Sequence, residues 1–153
     1  GFDIDKEHIT RGVEKTTLPG RMETVSEDPH IIMDSAHNLT GIEALAKGLM
    51  TLDHDRLLLV TGVLEDKDYK GMADMIGPMC DKVYTAEPVS ERRLSSETLA
   101  GTYSTHCPAE AFGPGIEALD AAIDESGEDD LIVITGSIYL LGDVRRDGEG
   151  RLW

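Results

Sequence analysis

Four short apolar runs with amphipathic segments between them predict an α/β domain. The runs are continuous rather than alternating, and they cover residues 31–33, 57–60, 83–84 and 131–134. Continuous apolar strands are typical of a parallel sheet buried on both faces, with the intervening helices as its cover. We therefore predict a Rossmann-like three-layer α/β/α domain with a mostly parallel sheet.

The remaining elements rest on weaker patterns, taken in chain order. Residues 22–25 predict an extra strand at a sheet edge, and residues 111–112 predict a further short strand. Apolar residues that recur at helical spacing predict a helix over residues 41–50. Further helices are predicted over residues 69–79, 95–100 and 116–123, and a last one begins at Ile138.

The 153-residue chain, 40% hydrophobic, is long enough for one domain with its own core. We predict a lead-in from a preceding domain over residues 1–17, the domain itself over 18–147 and a tail or linker over 148–153. No run reaches the ~20 apolar residues of a membrane helix, and Cys80 and Cys107 form no C-x-x-C pair. These features favour a cytoplasmic protein without a membrane partner, and the scattered histidines predict no metal site.

The charge of the chain is strongly one-sided. Thirty acidic residues against 14 Lys and Arg give a formal net charge of −16. Nucleic-acid binding is excluded as a function class because it needs clustered Lys and Arg, and no such cluster exists. Two interpretations remain, an ordinary acidic domain or a protein adapted to high salt. We favour salt adaptation, since concentrated salt screens the self-repulsion of a highly charged chain.

The segment that follows the first apolar run carries the main candidate site. Asp34, His37 and Asn38 lie where a strand leads into a helix, and ligands of open α/β sheets bind at that edge. Asp34 can accept hydrogen bonds from hydroxyls or pair with an ammonium group. His37 can orient or deprotonate an amine near neutral pH. The alternative is an ordinary loop in which Asn38 or Thr40 only caps the helix.

Two further positions suit anionic ligands. Arg21 follows a Pro-Gly turn and can bind phosphate in a bidentate manner, or it is simply a surface arginine. Ser137 follows the last apolar run and begins a helix, where backbone N–H groups suit a carboxylate or phosphate. The alternative for Ser137 is a plain helix cap. Neither side of Ser137 matches G-x-S-x-G, which argues against a hydrolase.

Residues 62–68 and the absence of phosphate-binding loops bear on whether the chain binds Ca²⁺ or a nucleotide. Lys67 lies between acids whose spacing is wrong for a Ca²⁺ loop, so we predict a solvated loop with a locally paired lysine. The sequence contains neither G-x-G-x-x-G after its first strand nor a G-x-x-x-x-G-K-[ST] loop. If ATP is used, another part of the protein must cradle its phosphates.

Together, four motifs resemble the C-terminal domain of folylpolyglutamate synthase/dihydrofolate synthase, a family of the Mur ligase superfamily of ATP-dependent ligases. The motifs are LPGRME, DSAHN, GVLEDKD and TGSIYL, over residues 18–23, 34–38, 62–68 and 135–140. They occur in family order, and the resemblance extends from residue 11 to residue 146. One departure is Leu39, which stands where the family motif D-x-x-H-N-P has proline. Proline would stiffen the start of the helix.

The resemblance implies a mechanism. A central P-loop domain binds Mg²⁺ and ATP and phosphorylates a carboxylate of folate or dihydropteroate, and the amine of L-glutamate attacks the acyl phosphate. By motif match, Arg21 contacts phosphate and Asp34 contacts the nucleotide. His37 and Ser137 hold glutamate or the reacting groups, with His37 and Asp34 as the catalytic pair. Because Asp34 and His37 lie in a loop, their replacement is expected to leave the fold intact.

The resemblance also sets expectations about the whole protein. The chain is expected to be one domain of a larger ligase, inactive without its P-loop domain, and to come from a halophilic archaeon. In some such organisms related ligases are fused to dihydropteroate synthase. The alternative is a regulatory module that binds a nucleotide or amino acid without catalysis. An upstream Walker A segment in the parent gene distinguishes the two hypotheses.

Salt adaptation predicts that the thermal midpoint of unfolding rises from dilute buffer towards molar KCl. The reason is the net charge of −16, whose self-repulsion is screened when the Debye length falls to about 3 Å at 1 M salt. Calorimetry over a KCl series measures it. A midpoint that stays flat across the series would identify an ordinary acidic domain.

Overall fold

A six-stranded sheet forms the centre of the computed structural model, which describes residues 19–153. The spatial order is β1-β2-β6-β3-β4-β5, in which β1 is an antiparallel edge strand and all other neighbours are parallel. The strands are β1 (Glu23–Glu27), β2 (His30–Met33), β3 (Leu57–Thr61), β4 (Lys82–Thr85), β5 (Ala109–Ala111) and β6 (Leu131–Thr135). The predicted edge strand is thus present, as β1.

Within residues 19–153, five α-helices cover the two faces of the sheet. They are α1 (Leu39–Leu49), α2 (Tyr69–Ile76), α3 (Ser96–Tyr103), α4 (Gly115–Glu125) and α5 (Ile138–Gly148). The apolar residues of α1, α2 and α3 share one core cluster with one face of the sheet, and those of α4 and α5 share another with the opposite face. The predicted three-layer α/β/α architecture with a mostly parallel sheet is confirmed.

Alternation of side chains along the strands explains why the apolar runs had to be continuous. In β2, Ile32 packs with α1 and α2, whereas Ile31 and Met33 point to the opposite face and pack with α5. All five residues of β3 and of β6 are buried for the same reason. These two central strands therefore tolerate no polar residue until their carboxyl ends.

The bounds of several elements differ from those predicted, most notably in α2, β5 and α5. Helix α2 ends at Ile76 and continues as a 3₁₀ turn over Gly77–Met79, because Pro78 has no N–H for the helical ladder. Strand β5 ends at Ala111, so only one of its two predicted residues, 111–112, belongs to it. Helix α5 runs to Gly148, well past the apolar residues that predicted its start.

The last residues fold back onto α5. The Trp153 indole nitrogen donates to the carbonyl of Arg145 at 3.4 Å, and the amide of Leu152 donates to the carbonyl of Gly148 at 2.9 Å. The predicted lead-in over residues 1–17 lies outside the described residues. Among residues 19–153, no helix is both long enough and apolar enough to cross a membrane.

Two glycines provide a paired test of packing at the carboxyl edge. A Cβ on Gly62 would clash with the Ala86 carbonyl oxygen, whereas a Cβ on Gly101 in α3 meets no heavy atom within 4 Å. Gly62→Ala is expected to lower the free energy of unfolding by about 1–3 kcal/mol through overpacking. Gly101→Ala should raise it by about 0.5–1 kcal/mol, since glycine is unfavourable inside a helix.

Urea unfolding of the two variants measures both effects. Equal stability changes would mean that the ends of β3 and β4 are not held as closely as the Gly62–Ala86 approach requires.

Candidate active site

The candidate site lies at the carboxyl ends of β2 and β6, which are neighbours in the sheet. Backbone hydrogen bonds continue the pairing beyond both strands. The amide of Asp34 donates to the carbonyl of Ile134 at 2.9 Å, and the Ala36 carbonyl accepts from the amide of Gly136, also at 2.9 Å. The Thr135 hydroxyl donates to the same carbonyl at 3.2 Å. The loops that carry Asp34 and Ser137 are therefore joined directly.

Asp34 organises the loop around it. Its Oδ1 accepts from the amide of Ala36 and its Oδ2 accepts from the amide of Met22, each at 2.9 Å. Met22 has a φ of +44°, a left-handed conformation that is uncommon for residues other than glycine. Asp34 therefore has a structural role. The sequence did not predict this role, since the fold was expected to stay intact when Asp34 is replaced. A carboxylate has about four acceptor positions, so two remain for a ligand.

Arg21 lies in the turn that Asp34 holds. Gly20 adopts a φ of +69°, its carbonyl accepts from the amide of Ser35 at 2.7 Å, and its amide donates to Glu23 Oε2 at 2.7 Å. Arg21 itself is exposed and lines a cavity of about 460 Å³, which we call the Arg21 cavity. The residues Asp34, Ser35 and His37 also line it.

His37 is exposed and fixed in orientation. Its Nδ1 lies 2.8 Å from the carbonyl oxygen of Ser35. Because a carbonyl only accepts, Nδ1 carries the hydrogen and donates it, which leaves Nε2 of the neutral ring as an acceptor. Asn38 Oδ1 accepts from the amide of Gly41 at 2.8 Å, so Asn38 caps α1. The capping alternative therefore holds for Asn38 and leaves His37 uninvolved.

Ser137 lines a second cavity of about 200 Å³, the Ser137 cavity, whose wall also includes His37. The Ser137 side chain is buried, and its Oγ accepts from the amide of Tyr139 at 3.1 Å as the cap of α5. The cap occupies an acceptor position of the hydroxyl and leaves its hydrogen available to a ligand. The structure thus brings Arg21, Asp34 and His37 to one cavity, and His37 and Ser137 to the other.

Two cations of the Ser137 cavity, Lys67 and Arg92, were not predicted as site residues. Lys67 Nζ lies 3.7 Å and Arg92 Nη1 lies 3.3 Å from the same oxygen of Asp66. Lys67 is locally paired as predicted, yet both cations line the cavity, where one carboxylate faces two positive charges. Lys67 follows the carboxyl end of β3 and Arg92 follows that of β4. This position in the sequence could have identified both as candidate site residues.

Leu39, which stands where the family motif has proline, packs against the first turn of α2. Its Cδ2 would lie 2.9 Å from a Cβ on Gly71, so the leucine side chain contacts the backbone of Gly71 in the first turn of α2. Asp68 caps α2 by accepting from the amide of Gly71 at 3.0 Å. The first turns of α1 and α2 are thereby in direct contact.

The described residues contain no ready-made set of protein ligands for a metal ion. No group of three or more His, Cys, Asp or Glu side chains among residues 19–153 is placed to hold a metal ion. The acceptors of Asp34 face backbone amides, and the carboxylate of Asp66 faces two cations. The site as described suits anions and hydroxyl groups.

The family model for the Mur ligase glutamate ligase domain matches residues 20–138. The chain belongs to this family. It is 32% identical over 150 residues to a probable bifunctional folylpolyglutamate synthase/dihydropteroate synthase of Halobacterium salinarum, covering 93% of this chain and 18% of that protein.

Solved structures agree with this assignment. Escherichia coli FolC in complex with ADP superposes with a TM-score of 0.87 at 29% identity, over 99% of this chain and 36% of that one. A bifunctional folylpolyglutamate synthase/dihydrofolate synthase with Mn, AMPPNP and L-glutamate bound superposes with a TM-score of 0.83 at 27% identity, over 95% of this chain and 35% of that one. The chain thus spans about a third of these enzymes.

Asp34→Asn tests the structural role of the carboxylate. The amide nitrogen of asparagine cannot accept, so the N–H of either Met22 or Ala36 loses its partner. We expect the free energy of unfolding to fall by about 1–3 kcal/mol. His37→Ala is the control and should change stability by less than about 0.5 kcal/mol, because His37 is exposed.

Chemical denaturation of both variants against the parent chain makes the comparison. If Asp34→Asn unfolds at the same denaturant concentration as His37→Ala, the two amides do not depend on Asp34.

Proposed function

We propose that this chain is the C-terminal domain of an ATP-dependent folylpolyglutamate/dihydrofolate synthase. Such an enzyme joins L-glutamate to a carboxylate of folate or dihydropteroate through an acyl phosphate. The observation that carries the proposal is the pair of adjacent cavities that share His37, one lined by Arg21 and the other by Lys67, Arg92 and Ser137. Two anionic substrates can thus be held on either side of one imidazole.

ATP is assigned to the Arg21 cavity. The guanidinium of Arg21 supplies a bidentate donor for phosphate, and the free acceptor positions of Asp34 suit the hydroxyl groups of a ribose. ATP supplies the phosphoryl group that activates the acceptor carboxylate. Because Mg²⁺ finds no ligand set among the described residues, the metal is assigned to the central P-loop domain of the same enzyme.

L-Glutamate is assigned to the Ser137 cavity. Its two carboxylates match the two kinds of anion receptor there, which are the start of α5 at Ser137 and the cations Lys67 and Arg92. The Nε2 of His37 can accept a hydrogen from the glutamate ammonium group, because Nδ1 is engaged by Ser35. Loss of that proton gives the neutral amine that attacks the acyl phosphate.

The relatives support the wider setting of this proposal. The name of the Halobacterium protein joins a folylpolyglutamate synthase to a dihydropteroate synthase, so a fused dihydropteroate synthase and a halophilic archaeal source are proposed here. A cytoplasmic location fits two free cysteines and a nucleotide substrate. The competing hypothesis is a regulatory module of the same fold that binds these ligands without catalysis.

Glutamate-dependent ADP formation by the full-length protein, with dihydropteroate or reduced folate as acceptor, tests the proposed function. We expect activity in the full-length protein and none in the 153-residue chain, which contains no P-loop. Binding of ADP and glutamate by the full-length protein without turnover would favour the regulatory module.

Ser137→Ala identifies the glutamate cavity. Loss of one hydrogen bond to a charged group is worth about 1.5–3 kcal/mol, so the KM for glutamate should rise roughly ten- to hundredfold while the KM for ATP barely changes. Ser95→Ala is the matched control, because Ser95 caps α3 through the amide of Thr98 and lines neither cavity.

The kinetic constants of both variants, measured in the full-length enzyme, separate the two roles of Ser137. Equal increases in both KM values would indicate a displaced α5, and the glutamate assignment would then be withdrawn.

A further inference from the structure

An ion pair joins the turn of Arg21 to the far end of α5. Arg145 Nη2 lies 2.6 Å from Glu23 Oε2, and Arg145 Nη1 donates to Glu23 Oε1 at 3.3 Å. The two residues are 122 positions apart in sequence. The geometry is bidentate, and the Glu23 side chain is only 17% exposed. The carboxylate is thus largely shielded from solvent, whereas the Arg145 side chain is 44% exposed.

The same carboxylate also holds the turn itself. Glu23 Oε2, the atom that receives Arg145 Nη2, accepts the amide of Gly20 at 2.7 Å. Leu141, one turn earlier in α5 than Arg145, would lie 3.5 Å from a Cβ on Gly20. Helix α5 therefore contacts this turn through an apolar side chain and through a charge-assisted contact.

The turn needs such support because of its backbone conformation. Gly20 and Met22, on either side of Arg21, have φ values of +69° and +44°. A left-handed residue other than glycine costs roughly 1–2 kcal/mol, so the surrounding contacts must hold it. Asp34 fixes the amide of Met22, and Glu23 fixes the amide of Gly20. The hydrogen bond from Arg145 lowers the pKa of Glu23, which keeps this carboxylate ionised.

We propose that Glu23 and Arg145 are positioning residues that hold Arg21 in place for the phosphates of the nucleotide. The proposal rests on the assignment of the Arg21 cavity to ATP under the proposed function. Neither residue lines the Arg21 cavity; they act through the backbone of Gly20. Because Ser137 caps α5 and Arg145 lies in its last turns, the same helix contacts both the Ser137 cavity and the turn that carries Arg21.

Arg145→Ala and Arg146→Ala form a matched pair of test variants. Arg146 is the next residue of α5, but its guanidinium pairs with Asp143 and Asp147 of the same helix. In the full-length protein, Arg145→Ala should weaken ADP binding in calorimetry by about three- to tenfold. The KM for glutamate should not change, and Arg146→Ala should change neither quantity. Arg145→Lys, which keeps the charge and loses the bidentate contact, should give an intermediate ADP affinity.

Hydrogen exchange on the same proteins reports the position of the turn independently of activity. Peptides that contain residues 19–23 should exchange faster in Arg145→Ala and in Glu23→Ala, and at the parent rate in Arg146→Ala. Unchanged exchange in this segment, or unchanged ADP affinity, overturns the proposal. A rise in the KM for glutamate as large as the fall in ADP affinity also overturns the proposal. If the parent protein binds ADP but forms no amide, the proposed function is refuted. A selective fall of ADP affinity in Arg145→Ala would in that case still support the positioning role.

Discussion

The pairing of β2 with β6 is the constraint on which the candidate site depends. The two strands are about a hundred residues apart in the chain, and their parallel register sets Met33 opposite Ile134. The backbone bonds from Asp34 to Ile134 and from Gly136 to Ala36 extend this register past the strand ends. Asp34, His37 and Ser137 therefore lie at one edge of the sheet because two buried strands end together, and ligands bind at this edge in open α/β sheets.

Charge makes this edge different from the rest of the surface. In a chain with a net charge of −16, the cavities collect Arg21, Lys67 and Arg92 with Asp34 and Asp66 as their nearby acids. Here an anion meets Arg21, two cations that share the single carboxylate of Asp66, and the N-terminus of α5. Salt adaptation and anion binding are thus compatible, because the excess acidic residues lie outside the cavities.

The sequence predicted most where a local pattern carried the physical cause. Continuous apolar runs predicted β2, β3 and β6 because those strands are buried on both faces. Strand β5 was misplaced because its residues are half-buried or exposed and leave almost no apolar pattern. The length of α5 was missed because its second half, including Arg145, is held by contacts with distant residues.

In the site, too, local sequence patterns predicted some features, and contacts between distant residues decided the others. The family resemblance implied Arg21, Asp34, His37 and Ser137 as site residues. The use of both Asp34 oxygens by backbone amides could not be predicted, because it depends on Met22, 12 residues away in the chain. The placement of His37 and Lys67 at the same cavity also depends on the tertiary structure. Each residue directly precedes the cap of its helix, and the Leu39–Gly71 contact joins the first turns of these two helices. A proline at position 39 would stiffen the start of α1, whereas the leucine side chain packs at the first turn of α2, close to the segments that carry His37 and Lys67.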